Sequence, residues 1–347
     1  MRSFEEKYIN NLFIPPEMIS ALTALTEFKG KETLYHRQSR DTLETLIQVA
    51  KIESAESSSR IEGIIVPHKR VEALFKKSAP KDRPEQEVAG YRDALARIHE
   101  MHEGMPLSSN VILTLHSMLY KYTNIKAGEW KKSDNEIIER LTDGSIRIRF
   151  KPVSAVQTPH YMETLVKEYN RYFEQGKIEP LILIPLFVLD FLCIHPFKDG
   201  NGRVARLLTL LLFYHAGFTV GRYISLERII EQSKETYYES LHDSSQKWHE
   251  GKHNALSWLR YFFGVSTAAY KEFESRVGIY KEQGNKTERL LKAIRRFDQP
   301  FSASDLQEAC PDAKIDLIRK VLKDLRKSGE IEPLSRGRYA KWHRKVK

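Results

Sequence analysis

The sequence predicts a mainly α-helical protein, and three observations carry that expectation. Apolar residues recur at three- and four-residue spacing along most of the chain. Two runs, 181–194 and 207–218, are dominated by Leu, Ile, Val and Phe. Both are shorter than the roughly 20 residues of a membrane span, so each reads as a buried helix. Strand-like alternation is confined to 136–150 and to a short stretch near the C-terminus.

At 347 residues the chain has room for two or three domains. A hydrophobic content of 41% with 29% charged residues describes a soluble globular protein. The two cysteines, Cys193 and Cys310, exclude a disulfide framework and a cysteine zinc site. The start, MRSFEEKYINNLF, lacks an apolar signal core, so a cytoplasmic protein with no membrane partner is expected. The net charge of +10 is uneven. Residues 281–347 hold 18 Lys/Arg against 10 Asp/Glu, or +8, leaving +2 for the rest. That asymmetry marks a separate C-terminal module with its own partner.

In chain order, residues 1–30 carry Pro15-Pro16 and read as a segment laid over the core. Leu43, Leu46, Ile47 and Ala50 give a helix from Ser39 that should end in the small polar cluster Ser54–Ser59. Arg60-Ile61-Glu62-Gly63 then reads as a helix terminus with a solvated glutamate. Residues 66–83 are basic and punctuated by Pro67 and Pro80. A helix over 85–103 faces inward with Val88, Tyr91, Leu95 and Ile98. Ser108 or Ser109 caps the next, with Val111, Leu115, Met118 and Leu119 inward.

Residues 136–141 and 146–150, joined by Thr142-Asp143-Gly144, predict a β-hairpin. It packs Ile146, Ile148 and Phe150 on the core, or it offers a strand edge to an extended partner. Helices follow at 159–176, at the two apolar runs, within 225–246 and on to about 283. The C-terminal module has a helix with Leu290, Leu291, Ile294 and Phe297, a second capped by Ser302-x-x-Asp305, and a third capped by Asp312. The third turns Ile315, Ile318, Val321, Leu322 and Leu325 inward, and Lys314, Arg319, Lys320, Lys323, Arg326 and Lys327 outward. Residues 329–331 and 335–339 add a hairpin with a basic tip at Arg336 and Arg338. This is a winged helix-turn-helix pattern, suited to DNA or, since Asp316 and Asp324 share the outer face, to protein.

The chemistry concentrates in the polar loop between the apolar helices, His195–Arg206, reading HPFKDGNGRVAR. Gly200-Asn201-Gly202 can turn its N–H groups into an anion nest. The helix starting near Arg203 points its N-terminal amides at the same spot. Arg203 and Arg206, three residues apart, can fork onto neighbouring phosphates. Asp199 offers a hard oxygen to Mg2+. His195 can take a proton from an attacking hydroxyl.

HPFKDGNGRVAR resembles the signature of Fic-domain proteins, His-x-Phe-x-Asp/Glu-Gly-Asn-Gly-Arg-x-x-Arg, with every defining position filled. The resemblance implies a helical Fic core with a hairpin flap, and transfer of AMP from ATP to a Ser, Thr or Tyr hydroxyl of a protein. It implies His195 as base, Asp199 on Mg2+, Gly200, Asn201 and Gly202 cradling phosphates, and Arg203 and Arg206 on the outer ones. Ser58-Ser59-Arg60-Ile61-Glu62-Gly63 is similar to the family's inhibitory motif, Ser/Thr-x-x-x-Glu-Gly/Asn, which implies that Glu62 pairs with Arg206. Lys234–Tyr238 is similar to a nucleotide-lining stretch of related proteins, which makes Tyr237 an expected adenine contact. The implied organisation is an N-terminal inhibitory region (1–109), a Fic core (110–250), linking helices (251–283) and a winged helix (284–347). Expected partners are ATP, Mg2+, a protein target along the 136–150 hairpin, DNA at the winged helix and a second copy of the chain. The rival readings are a DNA-binding regulator whose Fic core mainly senses nucleotide, and a Fic enzyme using a different diphosphate donor.

Overall fold

The structure, a computed structural model, describes residues 1–36, 40–140, 145–282, 286–297, 299–310, 313–335 and 340–344. The expected turn at Thr142-Asp143-Gly144, the cap at Asp312, and Arg336 and Arg338 of the wing tip lie outside the described residues, as does Ser39. The chain divides into two compact units, Met1–Glu274 and Ser275–Lys347.

Unit 1 opens with α1 (Glu6–Ile9), α2 (Pro16–His36), α3 (Arg40–Ile61) and α4 (His68–Phe75). Then come α5 (Arg83–Met101), α6 (Ser109–Leu119) and the antiparallel pair β1 (Ile137–Arg140) and β2 (Ile146–Phe150). It continues with α7 (Thr158–Gln175), α8 (Pro180–Ile194), α9 (Asn201–His215), α10 (Leu226–Gln232) and α11 (Lys234–Ser245). Helix α12 (Leu256–Glu282) runs to the end of the unit and past it. Asp82 caps α5 and Ser108 caps α6, each accepting from a first-turn amide. Gly176 ends α7 in the left-handed conformation.

Helix α8 forms the centre. Almost every residue is buried, Pro185 lies within it without ending it, and it packs on α7, α9 and α11. The fully buried Asp190 does not interrupt it either. Its carboxylate accepts from the Ser3 amide (3.0 Å), the Ser3 hydroxyl (2.6 Å) and Trp248 Nε1 (2.5 Å). A buried carboxylate needs such donors. Here they fasten the N-terminal segment to the central helix.

The Ser54–Ser59 cluster does not end a helix. Helix α3 passes straight through it, and all six residues are buried against the core. Ser59 Oγ donates to Ala55 O one turn back, which satisfies the hydroxyl inside the helix. Small side chains let α3 lie close to α5, α9 and α10. The basic 66–83 stretch contains α4, whose Val71 and Leu74 are buried.

In unit 2, α13 (Lys286–Arg296), β3 (Phe301–Ser302), α14 (Ala303–Ala309), α15 (Ile315–Lys327), β4 (Ile331–Pro333) and β5 (Lys341–Arg344) surround a core that includes Leu290, Ile294, Leu306, Ile318, Val321 and Ile331. The sheet order is β3-β5-β4, with both pairings antiparallel. Ser302 and Asp305 form a reciprocal capping box at the start of α14. The expected second hairpin strand, 335–339, lies outside the described residues except for Ser335; β4 pairs with 341–344, and Phe301–Ser302 supplies a strand the sequence did not suggest. Two residues are too few for alternation to register.

Candidate functional site

His195 is the C-cap of α8 and adopts φ 50°, ψ 62°, the left-handed region. Its amide closes the helix on Phe191 O. Its Nδ1 lies 3.3 Å from Leu192 O. A carbonyl only accepts, so Nδ1 carries the proton and Nε2 keeps its lone pair. Burial, with some help from the Lys131 charge, lowers the imidazole pKa to about 4 against the opposing pull of Glu62 and Asp199. The ring is therefore neutral at neutral pH, as a base must be.

The loop beyond His195 is tied at several points. Asn201 accepts from the Phe197 amide (2.9 Å) and donates to Phe197 O (2.8 Å). Phe197 is buried, stacked on His116 at 3.7 Å and on Trp130 at 5.3 Å. His116 accepts the Gly128 amide on Nδ1, so its Nε2–H donates to Asp199 O. Lys131 and Asn135 take the loop's carbonyls from the other side. The sequence reading missed His116, Lys131 and Asn135, because each is joined to the loop only through the fold.

The Gly-Asn-Gly stretch is less of a turn than expected. Gly200 alone has positive φ (83°), and Asn201 and Gly202 are already the first residues of α9. Asn201 is 2% exposed and its side chain braces the loop, so only its backbone faces outward chemistry. No side chain caps α9. Its first amides are left for an anion. Gly202 is a close approach: a Cβ there would collide with Glu62 Oε1.

The two arginines do not fork together. Arg203 is 1% exposed and turns towards α5 and α6, donating to Glu87 Oε2 (2.5 Å) and Tyr120 OH (2.9 Å). Burial of a guanidinium demands such partners. Arg206 turns towards α3. Its Nε donates to Ser58 Oγ (2.9 Å), and its Nη2 to Ser58 O (2.9 Å) and Glu62 Oε1 (2.9 Å). Its Nη1 is buried with no partner among the described residues. Burial works against the Arg206 charge, but Glu62 and nearby groups outweigh it and raise its pKa.

Glu62 is placed by the end of α3. The Ile64 amide bonds Ser59 O and the Gly63 amide bonds Arg60 O, with Gly63 at φ 81°. This is a Schellman motif with Glu62 at the C-cap and Gly63 at the position that favours glycine. A carboxylate at a helix C-terminus opposes the macrodipole. Its compensation is Arg206.

Of these residues Glu62, His195 and Gly202 line one cleft of about 680 Å³, whose wall also includes Ile138, Phe150 and Tyr238. Tyr237 also borders it but is 3% exposed, edge-on to Tyr238, Trp258 and Tyr261. It offers no open face for a base, whereas Tyr238 is only half-buried. On the hairpin, Ile138 pairs with Ile148, and the two are 47% and 54% exposed. Ile148 is thus not a core residue, as a purely structural hairpin would have it. The Asp199 side chain is 62% exposed, with Oδ1 on the Gly200 amide (2.7 Å) and Oδ2 3.7 Å from Arg203. Burial raises its pKa, but Arg203, Tyr120 and the Gly200 amide together lower it below the usual value. No group of three or more His, Cys, Asp or Glu fit for a metal occurs among the described residues. No helix among them is long and apolar enough to cross a membrane.

The fold and this loop define a helical protein of the Fic type. The sequence model of the Fic/DOC family matches residues 106–213. A Fido domain-containing protein of Dictyostelium discoideum is 31% identical over 127 residues, 35% of this chain and 82% of that protein. The chain belongs to the Fic/DOC family. Protein adenylyltransferase fic-1 of Caenorhabditis elegans is 28% identical over 130 residues, which cover 35% of this chain but 24% of that protein. A Fic family protein from Desulfovibrio desulfuricans G20 shares the fold, with a TM-score of 0.63 over 96% of this chain and 98% of that one, at 19% identity.

Proposed function

We propose that the chain transfers AMP from ATP to Ser, Thr or Tyr hydroxyls of protein targets, itself among them, releasing pyrophosphate, and that Glu62 inhibits it by pairing with Arg206. The observation that carries the reading is a single cleft lined by a neutral imidazole with a free Nε2, by Gly202 at an uncapped helix N-terminus and by the carboxylate that binds Arg206. In the reaction, the target oxygen bonds to the α-phosphorus as its bond to pyrophosphate breaks, and the hydroxyl proton passes to His195 Nε2. The amides of Asn201, Gly202 and Arg203 hold developing phosphate charge. Arg206 takes the outer phosphate with the donors that Glu62 now occupies, and Arg203 acts from behind by holding Glu87, Tyr120 and the start of α9. The half-buried Tyr238 is better placed than Tyr237 to meet adenine.

An exposed, ionised Asp199 with one loosely engaged oxygen fits Mg2+, which takes one or two carboxylates and completes its shell with phosphates and water. Bound there, the ion would neutralise charge on the phosphates. The open strand edge and the exposed Ile138–Ile148 pair suit an extended segment of the protein target.

The test is incubation with α-labelled ATP and Mg2+ of wild type, Glu62→Gly and Glu62→Gly/His195→Ala. Label should appear in Glu62→Gly and vanish in the double variant. Absence of label in a folded, ATP-binding Glu62→Gly protein would overturn the donor assignment and point to another nucleotide diphosphate.

A second reading concerns unit 2. Its α-β-α-α-β-β order fits a winged helix, and α15 exposes Arg319, Lys320, Lys323, Arg326 and Lys327 opposite its apolar face. Asp316 and Asp324 are exposed on the same helix, so the stripe suits DNA or protein; on the DNA reading the full chain would also act as a DNA-binding regulator. Binding of a specific operator well above nonspecific DNA at physiological salt would support it, and no preference would remove it.

A further inference from the structure

Resting on the proposed transfer reaction, we infer that Lys131 is the positioning residue of its base: it holds the loop backbone that presents His195, acting together with Asn135. A non-glycine residue at φ 50° is strained by about 1–2 kcal/mol and persists only where its surroundings over-determine it. Beside the Asn201 and Phe191 contacts, one short segment supplies much of those surroundings. Four consecutive carbonyls, those of residues 194 to 197, are taken by residues 131 and 135. Lys131 Nζ donates to Ile194 O (3.1 Å), and its backbone amide to Pro196 O (2.8 Å). Asn135 Nδ2 donates to Phe197 O (3.0 Å) and, at longer range, to His195 O (3.4 Å).

The lysine also orients the asparagine. Lys131 Nζ donates to Asn135 Oδ1 at 2.7 Å, which leaves the amide nitrogen facing the loop. An asparagine can flip when its network allows it. The carbonyls of His195 and Phe197 favour the amide nitrogen on the loop side, and the ammonium on Oδ1 reinforces that orientation from the other end of the amide. A surface lysine would have no reason to be spent this way: Lys131 is 5% exposed, and burial lowers its pKa to about 8. The retained charge sits at the C-terminal end of α8, where a cation complements the helix dipole. It is one of the groups that lower the pKa of His195, against Glu62 and Asp199, which raise it. Asp134 is the charged neighbour acting on Lys131 itself. The hydrogen bonds of Lys131 go to Ile194, Pro196 and Asn135, and none reaches the α9 amides.

The experiment uses the full chain in the Glu62→Gly background. Lys131→Met should lower kcat by about 10²-fold, the cost of a misplaced catalytic group, with KM for ATP within about two-fold. Lys131→Arg, which keeps the charge and donors, should restore most of kcat. The His195 imidazole, followed by NMR, should titrate at higher pH in Lys131→Met than in its parent. If Lys131→Met does not fold, Asn135→Ala asks the same question and should lower kcat with KM unchanged. An unaltered kcat and unaltered His195 titration in folded Lys131→Met would overturn the proposal. The NMR arm needs no turnover. A parent that binds ATP but transfers nothing would therefore count against the proposed reaction, while the His195 shift would still decide the role of Lys131.

Discussion

Glu62 Oε1 accepts a 2.9 Å hydrogen bond from Arg206 Nη2, joining residues 144 positions apart, and Arg206 is 4% exposed. The guanidinium spends its Nε and Nη2 on Ser58 and Glu62 and keeps only Nη1 unbound among the described residues. On the proposed reaction, the donors that Glu62 occupies are the ones the outer phosphate needs. In Glu62→Gly, label incorporation from α-labelled ATP should rise by about 10²-fold, the gain from correcting a misplaced reacting group. Glu62→Gln, which keeps an acceptor but drops the charge, should fall between wild type and Glu62→Gly. Equal activity in all three would remove the inhibitory role.

Helix α3 is itself clamped. Arg60 reaches Glu231 of α10 through Nε (2.7 Å) and Nη2 (3.2 Å) and Glu56 through Nη1 (2.6 Å). Arg228 of α10 returns the contact to Glu53 (3.2 Å). The Arg60 side chain is 37% exposed, so its pairs contribute about 1 kcal/mol at most. Glu231→Gln should loosen the end of α3 and raise activity by up to about five-fold, with the difference from wild type shrinking in high salt. An unchanged salt response would show that the clamp does not set the position of Glu62.

Acid should destabilise the fold. Burial lowers the pKa of His99 to about 3 and those of His116, His195 and His253 to about 4. Between those values and the unfolded value of about 6.5, the unfolded chain holds more protons, so stability falls as pH falls. Glu32 and Asp190, raised by burial to about 7 and about 6, have the opposite sign, because the folded state holds their protons longer. Four histidines outweigh two acids. Thermal melting should therefore shift down between pH 6.5 and 4.5. A flat melting temperature across that window would contradict the buried neutral histidines.

Much of the site is legible in the sequence because its residues are contiguous. Asp199, Gly200 and Arg206 sit in one run, and the apolar helices around them need only composition to be read. Glu62 is far away in sequence but lies in a short motif of its own. What escapes is everything set by burial. Arg203 and Arg206 are three apart on one helix, yet the need of a buried cation for an acceptor sends one to Glu87 and the other to Ser58 and Glu62. The Ser54–Ser59 cluster reads as a stop signal because serine favours helix ends in water, whereas here it is a buried packing face. Lys131 and Asn135 carry no local signal at all.

Gly202 has two occupants for one space. At rest Glu62 Oε1 fills the volume a side chain would need there, and Arg206 Nη1 borders it. In the proposed reaction a phosphate oxygen stands in the same place, over the first amides of α9. Gly202→Ala should therefore displace Glu62 and yet gain no activity, since the new methyl also crowds the nucleotide. Overpacking of this kind costs about 1–3 kcal/mol, so ATP binding should weaken by about ten-fold or more relative to Glu62→Gly. The measurements are ATP affinity by calorimetry and AMP incorporation on the same samples. If Gly202→Ala instead matched Glu62→Gly in both, the space above Gly202 would belong to the inhibitory glutamate alone, and the phosphate would have to lie further along the α9 terminus.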